Sequence, residues 1–488
     1  MIKVYNTLKG RKEEFIPHEK DTVKMYICGL TVQNYSHVGH IRSAVCYDVI
    51  RRYLEYKGYD VNFVINFTDI NEKIVRRAKE EELTPRELAD KYTKAYIEDI
   101  EALNIKRADA YCTATANLDK MIEMVEELIE RGYAYEVNGN VYFSVQDFPD
   151  YGKLSGRKLD EMEAGARIGV NEEKKHPMDF ALWKKVEDQQ PAWDSPWSKG
   201  WPGWHIECSA MSMKLLGEKI DIHGGGTDLI FPHHENEIAQ SEACTGQEPF
   251  AKYWLHNGTV NIKGEKMSKS LGNFFTTKEL LKKFKADEIR YFLLSKHYHS
   301  PLSFDLEEIE NNAQSYNKII NTRSDLENIL NQVPKKIDDS FSFQKYFDMI
   351  KNLKQEFQQA MDDDFNTAQA IGVIHQLIGE VNSLINSSDF NLSEESSFVL
   401  KKAYDLLNEM LTVLGFAVVD KQESSKQNDQ VYNQIVDYVL KLREQAREDK
   451  NFDLADKIRD DLSEMGFKIK DTAHGPVWSL KSGEENGS

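Results

Sequence analysis

Residues 23–67 constrain the fold more than any other stretch of the sequence. Val23-Lys24-Met25-Tyr26-Ile27 alternates and reads as a strand. A loop over 29–36 hands over to an apolar helical periodicity from about Gly39 to Lys57, which Gly58 stops. Val61-Asn62-Phe63-Val64-Ile65-Asn66-Phe67 is a second strand. Strand, helix, strand in this order predicts a βαβ unit. That implies an α/β fold with a parallel sheet and a ligand site at the C-terminal ends of its strands.

The remaining chain divides around this unit. Thr84-Pro85-Arg86-Glu87 is a capping box with Pro at the first helical position, opening a helix that runs past Ile100. A second amphipathic helix covers 117–131 and ends at Gly132. Residues 133–204 change character to short strands and turns, with Trp183, Trp193, Trp197 and Trp201 just ahead of Trp204. We read 98–204 as an insertion in a sheet domain formed by 1–97 and 205–260. Lys219-Ile220-Asp221-Ile222-His223 is a returning strand, and Gly224-Gly225-Gly226 is expected to bend the chain. The pattern is helical almost without break from about 276 to Phe416. Residues 420–430 read as a polar linker, 431–470 as a helical hairpin, 475–479 as a short strand and 481–488 as a disordered tail.

Length and composition narrow the function classes. A chain of 488 residues, 40% hydrophobic, suggests several domains with real cores. No 18-residue apolar run predicts a membrane span, and MIKVYNTLKGRKEEF lacks the apolar centre of a signal peptide. Five scattered cysteines, an odd number, fit a reducing cytoplasm better than a disulfide framework. The net charge of −19 (62 basic against 81 acidic residues) means that any polyanion must dock on a local basic patch.

Three segments carry chemistry. Ser36-His37-Val38-Gly39-His40 lies where a loop becomes a helix, and free N–H groups there bind anions. Gly39 permits close backbone approach, and the two histidines can donate to phosphate oxygens. Residues 264–273, GEKMSKSLGN, form a polar loop whose Lys266 and Lys269 can neutralise charge developing on a leaving pyrophosphate. Phe231-Pro232-His233-His234-Glu235-Asn236-Glu237 places His233 and Glu237 four apart, and His234 and Glu237 three apart, if a helix starts at Pro232. Either pair could hold a metal, and the spacing does not choose between them.

These motifs resemble those of class I aminoacyl-tRNA synthetases. His37-Val38-Gly39-His40 looks like the HIGH signature, and Lys266-Met267-Ser268-Lys269-Ser270 matches KMSKS. Within the class the sequence is most similar to the cysteinyl-tRNA synthetase family. The similarity runs through CGLTVQNYSHVGHIRS (28–43), PGWHIECSAMS (202–212), DIHGGGTDLIFPHHENEIAQSEA (221–243) and HNGTVNIKGEKMSKSLGN (256–273).

The resemblance implies a Rossmann-type catalytic domain with an inserted domain, a KMSKS and stem-contact region at 261–330 and a helical tRNA-binding bundle at 331–419. A small anticodon-binding domain is expected at 431–480. It implies activation of L-cysteine by ATP with Mg²⁺, transfer to tRNA-Cys, and one Zn²⁺ held by Cys28, Cys208, His233 and Glu237. His37, Gly39, His40, Gly225, Gly226, Asp228, Lys266, Ser268 and Lys269 are expected to handle ATP. His37, His40, Lys266 and Lys269 carry the catalytic role. Gly29, Thr68 and Trp204 are expected to line the cysteine pocket. In the C-terminal part Arg443, Arg447, Arg459, Asp471 and Trp478 are expected to meet tRNA, with Asp456 beside them. A monomer is expected.

Zinc suits thiolate, imidazole and carboxylate ligands. Coordination of the substrate thiol would make an editing domain unnecessary, so 98–204 is not expected to edit. The chain departs from the family pattern at Trp201, at Asn71-Glu72 and at His299. Rival expectations are a ligase passing cysteine to an amino sugar and a non-enzymatic RNA-binding relative.

Overall fold

The structure is a computed structural model. It describes residues 1–159, 173–186, 191–262, 265–266, 275–332, 343–387, 390–418, 438–447, 449, 451–464, 467–472 and 475–480, with side chains at all of these except 262, 265, 266 and 464–480. The expected linker and tail, and Ser268 and Lys269, lie outside the described residues. Two compact units divide the chain, Met1–Ala417 and Val418–Ser488.

The first unit begins with a hairpin of β1 (Lys3–Asn6) and β2 (Arg11–Glu14), then β3 (Thr22–Thr31), α1 (Val38–Tyr56) and β4 (Asp60–Thr68). Next come α2 (Glu72–Glu80), α3 (Pro85–Ala102), β5 (Ala110–Thr113) and α4 (Leu118–Glu130). After them run β6 (Ala134–Val137), β7 (Asn140–Phe143), β8 (Phe180–Lys185), β9 (Gly200–Pro202), α5 (Trp204–Leu216), β10 (Ile220–Gly226), α6 (Glu235–Thr245) and β11 (Ala251–Asn257). The central sheet is five-stranded and parallel, in the order β11-β10-β3-β4-β5. The βαβ reading of 23–67 is thus β3-α1-β4, with β3 and β4 paired directly.

The 98–204 stretch does two things. Its β5 pairs with β4 at the sheet edge, so the sheet extends beyond residue 97. Only β6-β7-β8-β9 form a separate antiparallel sheet. Four residues, Ala-Tyr-Cys-Thr, are too few to show a period.

The glycines at 224–226 do not bend the chain; they end β10. Their use is proximity. A Cβ on Gly224 would sit 2.6 Å from the Tyr47 ring. The Tyr47 hydroxyl lies 2.9 Å from the Gly225 carbonyl oxygen and 2.7 Å from that of Leu255, joining α1 to β10 and β11.

Beyond the sheet, β12 (Val260–Ile262) pairs with β13 (Glu265–Lys266) and with β14 (Leu302–Phe304). The helices are α7 (Thr277–Leu281), α8 (Ala286–Leu294), α9 (Leu306–Leu330), α10 (Phe343–Asp362), α11 (Thr367–Ile385) and α12 (Glu394–Val413). Between α10 and α11, three successive aspartates bind the catalytic part. Asp362 accepts from Tyr53 at 2.7 Å, Asp363 pairs with Lys12 at 2.7 Å, and Asp364 accepts from the Tyr5 N–H at 2.7 Å and the Tyr298 hydroxyl at 2.9 Å.

The second unit holds helical residues 438–447, α13 (Phe452–Glu464) and a hairpin of β15 (Phe467–Thr472) and β16 (Gly475–Leu480). The helical hairpin expected over 431–470 ends short of its last residues. Phe467-Lys468-Ile469-Lys470 instead alternates with period two, which fits β15. Among the described residues, no helix is long and apolar enough to cross a membrane.

Gly224→Ala drives a methyl group into the Tyr47 ring. Overpacking of this kind destabilises by about 1–3 kcal/mol. Urea denaturation should show a lowered midpoint; an unchanged midpoint would mean that α1 and β10 pack less closely than these distances require.

Candidate active site

A cavity of about 750 Å³ opens at the C-terminal ends of the central strands, and Cys28, Gly29, His37, His40, Trp204 and Asp228 are among its lining residues. Its floor is created by an irregularity. The β3–β4 register shifts between Ile27 and Leu30, freeing Cys28 and Gly29 from regular pairing. The Gly29 N–H donates instead to the Asn66 side chain at 2.9 Å. A Cβ on Gly29 would lie 1.8 Å from the Asn66 carbonyl oxygen, so only glycine passes here.

Cys28 then meets donors from three other elements. Its Sγ is 3.5 Å from Cys208 Sγ on α5 and 3.3 Å from Glu237 Oε1 on α6. His233 Nε2 is 3.5 Å from Cys208 Sγ and 3.0 Å from Glu237 Oε1. Phe231 is extended, and helical backbone begins at Pro232, ahead of the regular α6 at Glu235. The 233/237 pair still converges, because 232–234 continue helically into α6.

His234 is close as well. Its Nε2 is 3.3 Å from Cys28 Sγ and 3.9 Å from Glu237 Oε1. His223 on β10 places Nε2 3.5 Å from Cys28 Sγ and 3.2 Å from Glu237 Oε2. Two overlapping donor sets result: Cys28, Cys208, His233 and Glu237, and Cys28, His223, His234 and Glu237.

Both sets fit a thiophilic divalent ion in donor chemistry. Bonds of about 2.0–2.3 Å to a tetrahedral centre imply donor separations of about 3.3–3.8 Å, close to those found here. Glu237 Oε2 is fully buried, with His223 Nε2 3.2 Å away, so both carboxylate oxygens face the donor cluster. The two sets differ in their relation to the cavity. The Trp204 ring, which lines it, stacks on His233 with centroids 4.2 Å apart. His234 instead turns its Nδ1 to His256 Nε2 at 2.8 Å, deeper in the fold.

The electrostatics favour a charged nest. Burial alone would raise the Glu237 carboxyl, but the charges and hydrogen bonds of His223 and His233 outweigh it and hold the group well below the usual carboxylate range. Burial likewise opposes ionisation of Cys208, yet hydrogen bonds with Cys28 and His233 bring its thiol down to about 6. His233, despite burial, is raised to about 10 by Glu237 and Cys208. Burial, with Cys208 and Glu237 beside it, raises the Cys28 thiol.

At the other side of the cavity His37 caps α1. Its ring nitrogen accepts from the Gly39 N–H at 3.1 Å, and the His37 backbone N–H points to His40 Nδ1 at 3.4 Å. The two rings stack with centroids 3.6 Å apart. Burial, followed by the neighbouring His37, keeps His40 well below the usual histidine range. Gly226 lines the cavity with Asp228, and Gly225 lies one residue deeper in β10.

Thr68 does not line this cavity; its hydroxyl donates to Glu207 at 2.6 Å. Burial raises the Glu207 carboxyl well above the ordinary range, although Thr68 opposes this. Lys266 lies in β13. In the second unit Arg443 is buried, Arg447 is exposed, and Arg459 pairs with Asp456 at 3.3 Å and Asp460 at 3.1 Å. In the β15–β16 hairpin Asp471 pairs with Pro476 and Trp478 with Ile469. Trp201 is buried in β9, and His299 sits with its ring against Tyr5. The sequence reading did not pick out His205, His223, Glu207, Asn66 or His256. All but Asn66 lie inside segments that carry the family resemblance: His205 and Glu207 in 202–212, His223 in 221–243 and His256 in 256–273.

Residues 14–315 match the family described as the tRNA synthetases class I (C) catalytic domain, and 356–418 match the DALR domain. The chain belongs to the class I tRNA synthetases. Members of this class activate an amino acid with ATP and Mg²⁺ and charge tRNA with it. Among solved structures, the fold is similar to a Mycobacterium tuberculosis methionyl-tRNA synthetase in complex with methionyl-adenylate, with a TM-score of 0.60 and 17% identity over 80% of this chain and 90% of that one. It is also similar to a putative arginyl-tRNA synthetase from Campylobacter jejuni, with a TM-score of 0.56 and 14% identity over 82% and 94%. In this synthetase Cys28 of the donor nest lines the same cavity as His37, Gly39 and His40 of the HVGH turn.

The two donor sets share Cys28 and Glu237, so they cannot be filled together. Titration of the metal-free protein with Zn²⁺, followed by equilibrium dialysis, should saturate at a single equivalent. A second tight equivalent lost in Glu237→Ala would contradict the shared-ligand arrangement.

Proposed function

We propose that this synthetase activates L-cysteine as cysteinyl-adenylate and transfers it to tRNA-Cys. The observation that carries the reading is the set Cys28, Cys208, His233 and Glu237 beside the cavity that Trp204 and the HVGH turn also border. Cysteine and serine differ by one atom, and a shape pocket separates such near-isosteres only about 10–200-fold. A bound Zn²⁺ supplies a soft Lewis acid that prefers a thiolate to a hydroxyl and lowers the thiol pKa. The nest of two cysteines, one histidine and one carboxylate suits that ion, and selectivity then needs no editing step.

The other groups have positional roles. The substrate carboxylate attacks the α-phosphorus of ATP, and pyrophosphate leaves. His37, Gly39 and His40, at the positive end of α1, are suited to hold phosphate oxygens. Lys266 and Lys269, with Ser268, are assigned to the pyrophosphate. Gly225 and Gly226 leave room for the adenosine, and Asp228 can accept from a ribose hydroxyl. Gly29 and Trp204 would flank the amino acid, and Thr68 would act through Glu207. Catalysis on this reading is positioning and electrostatics, with no covalent enzyme intermediate. Arg443, Arg447, Arg459, Asp471 and Trp478 are assigned to tRNA, where arginines take phosphates and an aromatic side chain stacks a base.

Cysteine-dependent ATP–pyrophosphate exchange and charging of tRNA-Cys test the proposal directly. Exchange without charging would overturn it. His233→Ala should lose zinc and exchange together. The loss should exceed the about 100-fold upper end seen when only an outer partner of a ligand is removed. If His234→Ala abolishes both while His233→Ala does neither, the ligand assignment is wrong.

A further inference from the structure

His234 lies beside the nest without belonging to the set that adjoins the cavity, and it begins a buried chain of hydrogen bonds. His234 Nε2 is 3.3 Å from Cys28 Sγ, and its Nδ1 is 2.8 Å from His256 Nε2. His256 Nδ1 is 2.8 Å from the Thr7 hydroxyl. His234 and His256 have no solvent exposure, so every nitrogen must find its partner inside the protein. Thr7 follows β1, and its N–H donates to the Trp254 carbonyl oxygen of β11 at 2.9 Å. The start of the chain therefore reaches the metal nest through two imidazoles.

The direction of this chain follows from proton counting. A Cys28 thiolate bound to a metal can only accept, so His234 Nε2 must carry hydrogen. A neutral imidazole then offers Nδ1 as an acceptor, and His256 must donate to it from Nε2. His256 Nδ1 is in turn an acceptor, and among the described residues it faces the Thr7 hydroxyl, which can donate. We infer that Thr7 and His256 are positioning residues of the metal centre: they lock His234 in the tautomer that donates to the Cys28 sulfur. An N–H···S bond of this kind stabilises the thiolate and draws electron density from it. It also holds His234 away from coordination, leaving His233 as the histidine ligand. This inference rests on the zinc reading of the Cys28, Cys208, His233 and Glu237 set.

The test replaces Thr7 by Val, which keeps the shape and removes the donor, and by Ser, which keeps the donor. Zinc affinity is measured by chelator competition, and the sulfur-to-metal charge-transfer band by substitution with Co²⁺. Thr7→Val should bind zinc about 10-fold more weakly and shift the band. Thr7→Ser should restore both. Val4→Ala, which loosens the buried side of the same strand without touching the chain, serves as the structural control. It should lower thermal stability and leave the band unmoved. An unshifted band in Thr7→Val, or an equal shift in Val4→Ala, overturns the positioning role while wild-type metal binding keeps the zinc reading intact. Failure of the wild type to bind zinc or Co²⁺ would remove both.

Discussion

The carboxylate of Glu237 is the constraint around which the catalytic floor is organised. An isolated buried carboxylate is prohibitively costly, so it must be paired, hydrogen-bonded or bound to a metal. Glu237 is fully buried, and what surrounds it comes from four elements: Cys28 from β3, Cys208 from α5, His223 from β10 and His233 from the turn before α6. Of these only His233 is within one helical turn of Glu237 in sequence. The parallel sheet brings β3 and β10 side by side, and the irregularity at Cys28 and Gly29 frees the thiol from the regular ladder. The nest is therefore a property of the sheet, and it cannot be assembled by any one segment alone.

This explains what the sequence disclosed and what it withheld. The unit β3-α1-β4 was legible because alternation and helical periodicity are local signals. The 233/237 pair was legible for the same reason, being four residues apart on continuous helical backbone. The choice between His233 and His234 was not, since both sit within reach of Glu237 and Cys28. What separates them is a tertiary fact: Trp204 covers one and His256 binds the other. The same holds for Gly224-Gly225-Gly226. Three glycines suggest a turn, but here they make room for Tyr47 from a helix almost 180 residues away, a contact with no trace in local pattern. The Thr68 hydroxyl, spent on Glu207, is a third case.

A second buried charge fixes the relation of the helical bundle to the sheet. Arg290 on α8 has no exposure and pairs with Asp48 of α1. It also donates to the Leu414 carbonyl oxygen at 2.7 Å and that of Leu103 at 3.1 Å. Gly415 must be glycine beside it, because a Cβ there would lie 2.0 Å from the guanidinium, at φ +73°. One guanidinium thus ties together the end of α12, the end of α3 and the middle of α1. Breaking one partner of such a buried pair strands the other without compensation, which costs about 3–5 kcal/mol.

These contacts make α1 a common strut. Its first turn carries His37 and His40 at the cavity, Asp48 holds Arg290 at mid-length, and Tyr53 near its end binds Asp362 between α10 and α11. Nineteen residues span about 28 Å. The cavity face of the helix and the DALR-matching bundle are therefore joined by one rigid element rather than by a flexible tether. Arg42, one turn inside α1, adds a further tie: it donates to the carbonyl oxygens of Thr259 at 3.3 Å and Tyr298 at 3.4 Å. Tyr298 is itself bound by Asp364 at 2.9 Å. The aspartate run at 362–364 and the HVGH turn therefore act on opposite ends of the same helix. A change in how the bundle sits would act on α1 through Tyr53, and through Tyr5 on the segment that leads to Thr7.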